Sequence, residues 1–231
     1  MSKDVKFDRE FLNLVQNLTK INSSILFERS DDNGVIIKRK NPAGSIAYIL
    51  SASEDSFDFD EEEIAFYNFP EFAQMLSVFK SPNIKQDENR LVISENKSKI
   101  KYVVTDPEII SRGPNKVNFG DADATMVIDR DLLKEIRSMI GILDSENIKL
   151  KISDNNITVV CYNSNHDNQW ENTYDIENSL GKDFELTIKS EVFVHIPDGN
   201  YKMELKEAGI VKFAYQSDIV NLDIFVAEVE G

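Results

Sequence analysis

One cysteine, Cys161, occurs in 231 residues, so an intrachain disulfide is excluded and a reducing, cytoplasmic setting is expected (the host cytoplasm, if the chain is viral). Zinc ligation is excluded too, because the only histidines, His166 and His195, stand 29 residues apart in unlike contexts. No apolar run approaches membrane-spanning length, and the opening Met1-Ser2-Lys3-Asp4-Val5-Lys6 has no apolar leader, so neither membrane insertion nor export is expected. Glycine loops for nucleotides, paired histidines on a helix and a serine elbow are all missing. The pairs Asp58/Asp60 and Asp121/Asp123 lack the glycine and following glutamate of a calcium loop. No catalytic residue, cofactor or metal is singled out, and no enzymatic activity is predicted.

Basic residues are also scarce, 26 Lys and Arg against 41 Asp and Glu, for a net charge of −15. Such a balance argues against nucleic-acid binding, which needs cations facing phosphates. The acids are clumped, however. Glu54 to Glu63 holds seven carboxylates and no base, and reads as a solvated loop. An apolar fraction of 41% with 14 phenylalanines is ample for packed cores.

What is present is a repeat. Asp129 to Leu143 has the period of an amphipathic helix, with Leu132, Leu133, Ile136, Met139, Ile140 and Leu143 on one side. Arg130, Lys134 and Arg137 align opposite them. Asp8 to Ile21 repeats the pattern 121 residues earlier: Asp8, Arg9, Leu12 and Ile21 match Asp129, Arg130, Leu133 and Ile142. Phe11, Leu12, Val15 and Leu18 form its apolar side, and Arg9, Asn13, Gln16 and Lys20 its polar one. Both polar faces read as free of acid. Each helix then runs into a hairpin with Ser-Asp-Asn turn chemistry, Leu26 to Ile37 and Lys149 to Val160. Two helix-plus-hairpin units at one spacing are an internal duplication, and two domains follow: 1–105 and 124–231, joined by a Pro- and Gly-punctuated connector, 106–123.

Taken in order, each half reads β-α-β-β-β-β-α-β-β-β, an α+β pattern of antiparallel strands with few helices. The second helix of the first half starts at Asn68, with a capping box to Glu71, an apolar side of Phe72, Met75, Leu76 and Phe79, and Gln74 and Ser77 on the other. Its counterpart is one turn opened by Ser190 and stopped by Pro197.

On these features the chain resembles the DNA sliding clamps, and most nearly the trimeric clamps of T4-like bacteriophages. The similarity extends along nearly the whole chain. It is clearest at Lys20-Ile21-Asn22-Ser23-Ser24-Ile25-Leu26, at Phe66 to Ser77 (FYNFPEFAQMLS) and at Pro197-Asp198-Gly199-Asn200-Tyr201-Lys202-Met203. The resemblance implies a duplicated clamp fold and a homotrimeric ring, strands outside and helices within. Twelve helices about 10 Å wide would put their axes on a circle roughly 38 Å across, enough for hydrated duplex DNA. Sequence-independent DNA contacts would fall to Arg9, Asn13, Gln16, Lys20, Gln74, Ser77, Arg130, Lys134 and Arg137. The implied partners are duplex DNA, a DNA polymerase, an ATP-dependent clamp loader and further copies of the chain. Partner tail peptides would dock near the connector and C-terminus, by position at Ile109, Ile110, Phe119, Phe225 and Val226. Subunits would join strand to strand, with Ile100, Tyr102 and Val104 on one side and Tyr174 and Ile176 on the other. The alternative from the residues alone is a non-ring β-rich scaffold whose basic helix faces bind an acidic protein.

Overall fold

The computed structural model describes residues 3–31, 34–59, 61–165, 167–178 and 181–229. The first hairpin's turn at Asp32-Asn33, the candidate ligand Asp60 and His166 lie outside the described residues. The chain forms two compact units. Unit 1 comprises Met1–Pro42, Tyr48–Asn115 and Ser217–Leu222; unit 2 comprises Ala43–Ala47, Lys116–Gln216 and Asp223–Gly231. The segment 106–123 is thus divided, its residues through Asn115 in unit 1 and the rest in unit 2.

The first half runs β1 (Lys3–Phe7), α1 (Arg9–Leu18), β2 (Ile25–Arg29), β3 (Val35–Lys40), β4 (Ile46–Ala52), β5 (Phe57–Asp58), β6 (Glu63–Phe66), α2 (Phe69–Ser77), β7 (Asn83–Asp87), β8 (Arg90–Glu95) and β9 (Ser98–Val103). A 3-10 turn (Pro107–Ile109) follows. The second half runs β10 (Ala124–Ile128), α3 (Arg130–Leu143), β11 (Asn147–Ser153), β12 (Asn156–Tyr162), β13 (Gln169–Asp175), β14 (Glu177–Asn178), β15 (Phe184–Lys189), α4 (Glu191–His195), β16 (Tyr201–Lys206), β17 (Ile210–Gln216) and β18 (Val220–Ala227). The two halves correspond element for element.

The strand orders repeat as well. β5-β1-β7-β8-β9 and β4-β3-β2-β6 in the first half match β14-β10-β16-β17-β18 and β13-β12-β11-β15 in the second, and strands pair antiparallel in both halves. Local chemistry sets the repeat. Asp8 accepts from the Phe11 N–H at 2.9 Å, and Asp129 from the Leu132 N–H at 2.8 Å, so both long helices start on the same N-cap. The β11–β12 hairpin turns at Asp154, whose φ of 50° is a left-handed value that Asp tolerates.

Unit 1 closes over an aromatic core in which Phe27 meets Phe57, Phe66 and Phe69 with ring centroids 4.5 to 5.6 Å apart. Each such buried ring contributes about 1.5–3 kcal/mol of transfer free energy. Two buried rings, Phe57 and Phe59, correct the sequence reading. The acidic stretch is no simple solvated loop, because Phe57 and Phe59 are buried and β5 pairs with β1. Its acids Glu54, Asp55, Glu61 and Glu62 are exposed, while the phenylalanines between them fix the stretch to the core. The Asn68 capping box does not form either: the Asn68 side chain makes no cap hydrogen bond, and Pro70 in the first turn supplies the helical φ instead. Unit 2 packs α3 through Leu133, Ile136 and Ile140, and places Phe193 edge-on to Phe213 at 5.4 Å.

Sheet edges are treated unevenly. In unit 1 the Thr105 N–H covers β6 by donating to Ala65 O (2.9 Å); in unit 2 the Val229 N–H covers β15 by donating to Thr187 O (2.8 Å). Within unit 1 the Ser53 N–H, just after β4, donates to Ile219 O at 3.1 Å, and within unit 2 the Ala227 N–H, at the end of β18, donates to Ser45 O at 2.9 Å. β9 and β13, which hold the places of β18 and β4 in the repeat, are edge strands of six and seven residues with no outer partner among the described residues; the other open edges, β5 and β14, are two residues long. No helix of the described residues is long and apolar enough to cross a membrane.

Candidate nucleic-acid interface

The helix residues expected to meet DNA are on the surface. Arg9, Asn13 and Gln16 of α1, Gln74 and Ser77 of α2, and Arg130 and Lys134 of α3 are all exposed. Lys20 is exposed beyond the end of α1, where its N–H donates to Asn17 O at 3.1 Å. Arg9 is tied at one point, its Nη2 donating to the Lys80 carbonyl. Arg137 is placed differently. Its Nε donates to Phe193 O at 2.6 Å, its Nη2 to Ile196 O at 2.5 Å, and its Nη1 meets Asp198. That guanidinium holds α4 and the turn after it against α3. The helix faces are not free of acid, since Glu10, Asp131 and Glu135 share the exposed surface with the basic residues. A helix arc wide enough for three basic positions also exposes the positions beside them.

Between α1 and α2 of unit 1 lies a cleft of about 530 Å³. Lys6, Arg9 and Lys80 are its charged lining residues, Asn13, Gln16 and Ser77 line it with amides and a hydroxyl, and Leu12, Leu76, Phe79 and Ile84 supply apolar wall. Sequence reading missed Lys6 and Lys80. Lys6 precedes the helix on a strand and Lys80 follows α2, so neither belongs to a helical period.

The residues expected to receive partner peptides divide between the units. In unit 1, Ile109 is 65% exposed on the 3-10 turn, whereas Ile110 is buried with Leu26 and Ala65. In unit 2, Phe119 and Phe225 have ring centroids 6.2 Å apart, Lys212 Nζ lies 5.8 Å from the Phe119 centroid, and Val226 is buried. The connector's first part is pinned to β3: Gly113 N–H donates to Lys38 O at 3.0 Å, and the buried Arg39 donates to Ser111 O and Ser24 Oγ. Arg112 adds ion pairs to Glu28 and Glu63.

Ile100 and Tyr102 lie half-buried on the edge strand β9, with Val104 just past it; Tyr174 is on the edge strand β13, and Ile176 follows. The Tyr102 ring packs on Phe72 at 5.2 Å. Burial, and then the Glu71 charge, raise its phenol above the ordinary value, so it remains a neutral donor to Asn68 O at 3.3 Å. On the other face of β9, Lys99 and Lys101 are exposed; β13 exposes Glu171 and Asp175.

Many solved structures match this architecture, among them two that cover its whole length. Proliferating cellular nuclear antigen (PCNA) from Entamoeba histolytica superposes with a TM-score of 0.77 at 16% identity, covering 100% of both chains. The fold is that of a sliding clamp. A. fulgidus PCNA, solved with the C-terminal region of FEN-1 bound to it, gives 0.75 at 13% identity, covering 100% of this chain and 99% of that one. No protein-family model matches the sequence, and no curated protein matches it. The clamp fold thus persists where sequence similarity is very low.

Proposed function

We propose that the protein is a DNA sliding clamp: a homotrimeric ring that encircles duplex DNA and tethers a DNA polymerase for processive synthesis. The observation that carries this reading is the pair of long uncovered edge strands, β9 and β13, in a repeated strand order. β9 and β13 hold the same places in the repeat as β18 and β4. Pairing β9 of one subunit with β13 of the next would join the chains strand to strand. Head-to-tail joints of this kind close into a ring and remove the edges. Lys99 and Lys101 on one edge meet Glu171 and Asp175 on the other with opposite charge, which favours this pairing over β9 against β9.

Inside the ring Arg9, Lys20, Arg130 and Lys134 face phosphates, with Asn13, Gln16, Gln74 and Ser77 as neutral neighbours. Contacts to phosphate alone carry no base readout, so the ring slides. An acidic exterior keeps DNA off the outer surface. No nucleotide loop is present in the sequence, so ring opening belongs to an ATP-dependent loader. Partner tails would dock at the exposed Ile109 of unit 1 or beside the half-buried Phe119 of unit 2, whose ring neighbour Phe225 is buried; A. fulgidus PCNA was solved with the C-terminal region of FEN-1 bound to it. The likeness to T4-like phage clamps makes a phage replisome, and coupling of the clamp to transcription, the setting we favour.

The test is charge reversal at Arg130 and Lys134 in primer extension with a cognate polymerase and loader. Arg137 is left intact because it holds α4. A clamp keeps its fold and oligomer and loses stimulation of synthesis. Unchanged stimulation would refute the assignment of the lining.

A further inference from the structure

Gln16 and Arg137 occupy the same place in the repeat, 121 residues apart, yet act differently. In unit 2, Arg137 spans from α3 to the segment entering β16 and pairs there with Asp198. In unit 1, Gln16 has no such reach, and the segment entering β7 carries Lys80 rather than an acid. The unlatched space between α1 and α2 is the cleft of about 530 Å³.

Its chemistry is one-sided. Lys6, Arg9 and Lys80 line it, no acid does, and the ammonium groups of Lys6 and Lys80 have no acid partner among the described residues. The nearby Glu95 carboxylate is spent on backbone groups, accepting from the Lys80 and Ser81 N–H groups at 3.2 and 2.6 Å. Behind the cations the walls are apolar, with Leu12, Leu76 and Phe79. In a protein of net charge −15, such a concave site selects an anion with a flat or apolar body.

We infer that this cleft receives a nucleotide of single-stranded DNA, its phosphate between Lys6, Arg9 and Lys80 and its base against Leu12, Leu76 and Phe79. Two features favour nucleic acid over an acidic peptide. The volume suits one nucleotide, and Asn13, Gln16 and Ser77 offer both donors and acceptors to base edges without preferring one base. A paired base cannot enter, so the site takes a strand end or an unpaired template nucleotide. The inference rests on the sliding-clamp reading, because the cleft shares Arg9, Asn13, Gln16 and Ser77 with the helix faces assigned to DNA. On that reading the ring carries three such sites and grips the single-stranded side of a primer–template junction while it slides on the duplex side.

The test uses the full chain and fluorescein-labelled oligo(dT) of about eight nucleotides, followed by anisotropy at several salt concentrations. Binding with a log–log salt slope of roughly −2, for three cations on a single strand, is the result expected. Lys80→Glu, and Ser77→Trp, which fills the cleft from an exposed helix position, each weaken it by about tenfold or more. Lys151→Glu, an exposed lysine on β11, changes net charge equally and leaves binding near wild type. Circular dichroism of each variant separates loss of binding from loss of fold. No oligo(dT) binding, equal binding by Lys80→Glu and Ser77→Trp, or stronger binding of a polyglutamate peptide than of oligo(dT) would each overturn the inference. Stimulated primer extension alongside absent oligo(dT) binding would sink this inference and leave the clamp reading standing.

Discussion

Arg137 joins α3 to α4 by donating from Nε to the Phe193 carbonyl oxygen at 2.6 Å, with Ile196 O and Asp198 completing its partners. α4 is only five residues long and cannot hold its own carbonyls by helical bonds. Arg137→Ala leaves two carbonyls and a carboxylate without this donor, and a loss of about 2–3 kcal/mol in urea unfolding is expected. Arg130→Ala, at an exposed position, changes stability by less than about 0.5 kcal/mol. Equal effects of the two substitutions would contradict the division between a latching arginine and a lining one.

Gly113 lies where the connector crosses β3. A Cβ there would come within 2.5 Å of the Arg39 nitrogen and 2.6 Å of the Lys38 carbonyl carbon, and backbone atoms cannot step aside. Gly113→Ala is expected to cost about 2 kcal/mol and to lift the connector. Amide exchange at Gly113, whose N–H donates to Lys38 O, reports the change directly. Protection equal to wild type would show that the crossing is not tight.

Stability should fall on the alkaline side. Burial pushes the Cys161 thiol from 9.0 up to about 11, and burial also raises the Tyr48 and Tyr201 phenols above their ordinary 10.0. Each folded-state value lies above the unfolded one, so the neutral form is favoured by folding. The contribution of Cys161 is full below about pH 9 and is lost as pH rises through about 11. Urea midpoints should hold steady to pH 9 and decline beyond it. At pH 8 the native thiol should resist a disulfide reagent that modifies it at once in guanidinium. Fast modification of the native protein would refute the burial argument.

Charge at the two long uncovered strands offers a swap. Lys99→Glu with Lys101→Glu should dissociate the oligomer, since glutamates would then face Glu171 and Asp175 across the joint. Adding Glu171→Lys and Asp175→Lys should restore it. Sedimentation velocity distinguishes the three proteins. An oligomer indifferent to both sets would place the joint elsewhere.

Much of the fold was legible because its signals are local. Asp8 and Asp129 cap helices at matching positions, and the hairpins carry turn residues, so pattern alone gave the duplication and the order of elements, apart from one of the five strands between the two helices of each half. Phe57 and Phe59 were misread because the seven acids around them dominate the composition, while the pairing of β5 with β1 joins residues about 50 apart in sequence. Arg137 sits in perfect helical register with Arg130 and Lys134, and no periodicity reveals that its guanidinium turns onto α4. Lys80 and Lys6 converge only through tertiary packing.

The ring is the central claim, and its mass is the direct measure. Light scattering over a concentration series should approach three times 26.4 kDa as concentration rises. A particle of 26.4 kDa at every concentration, or a plateau at twice that mass, would contradict the head-to-tail trimer.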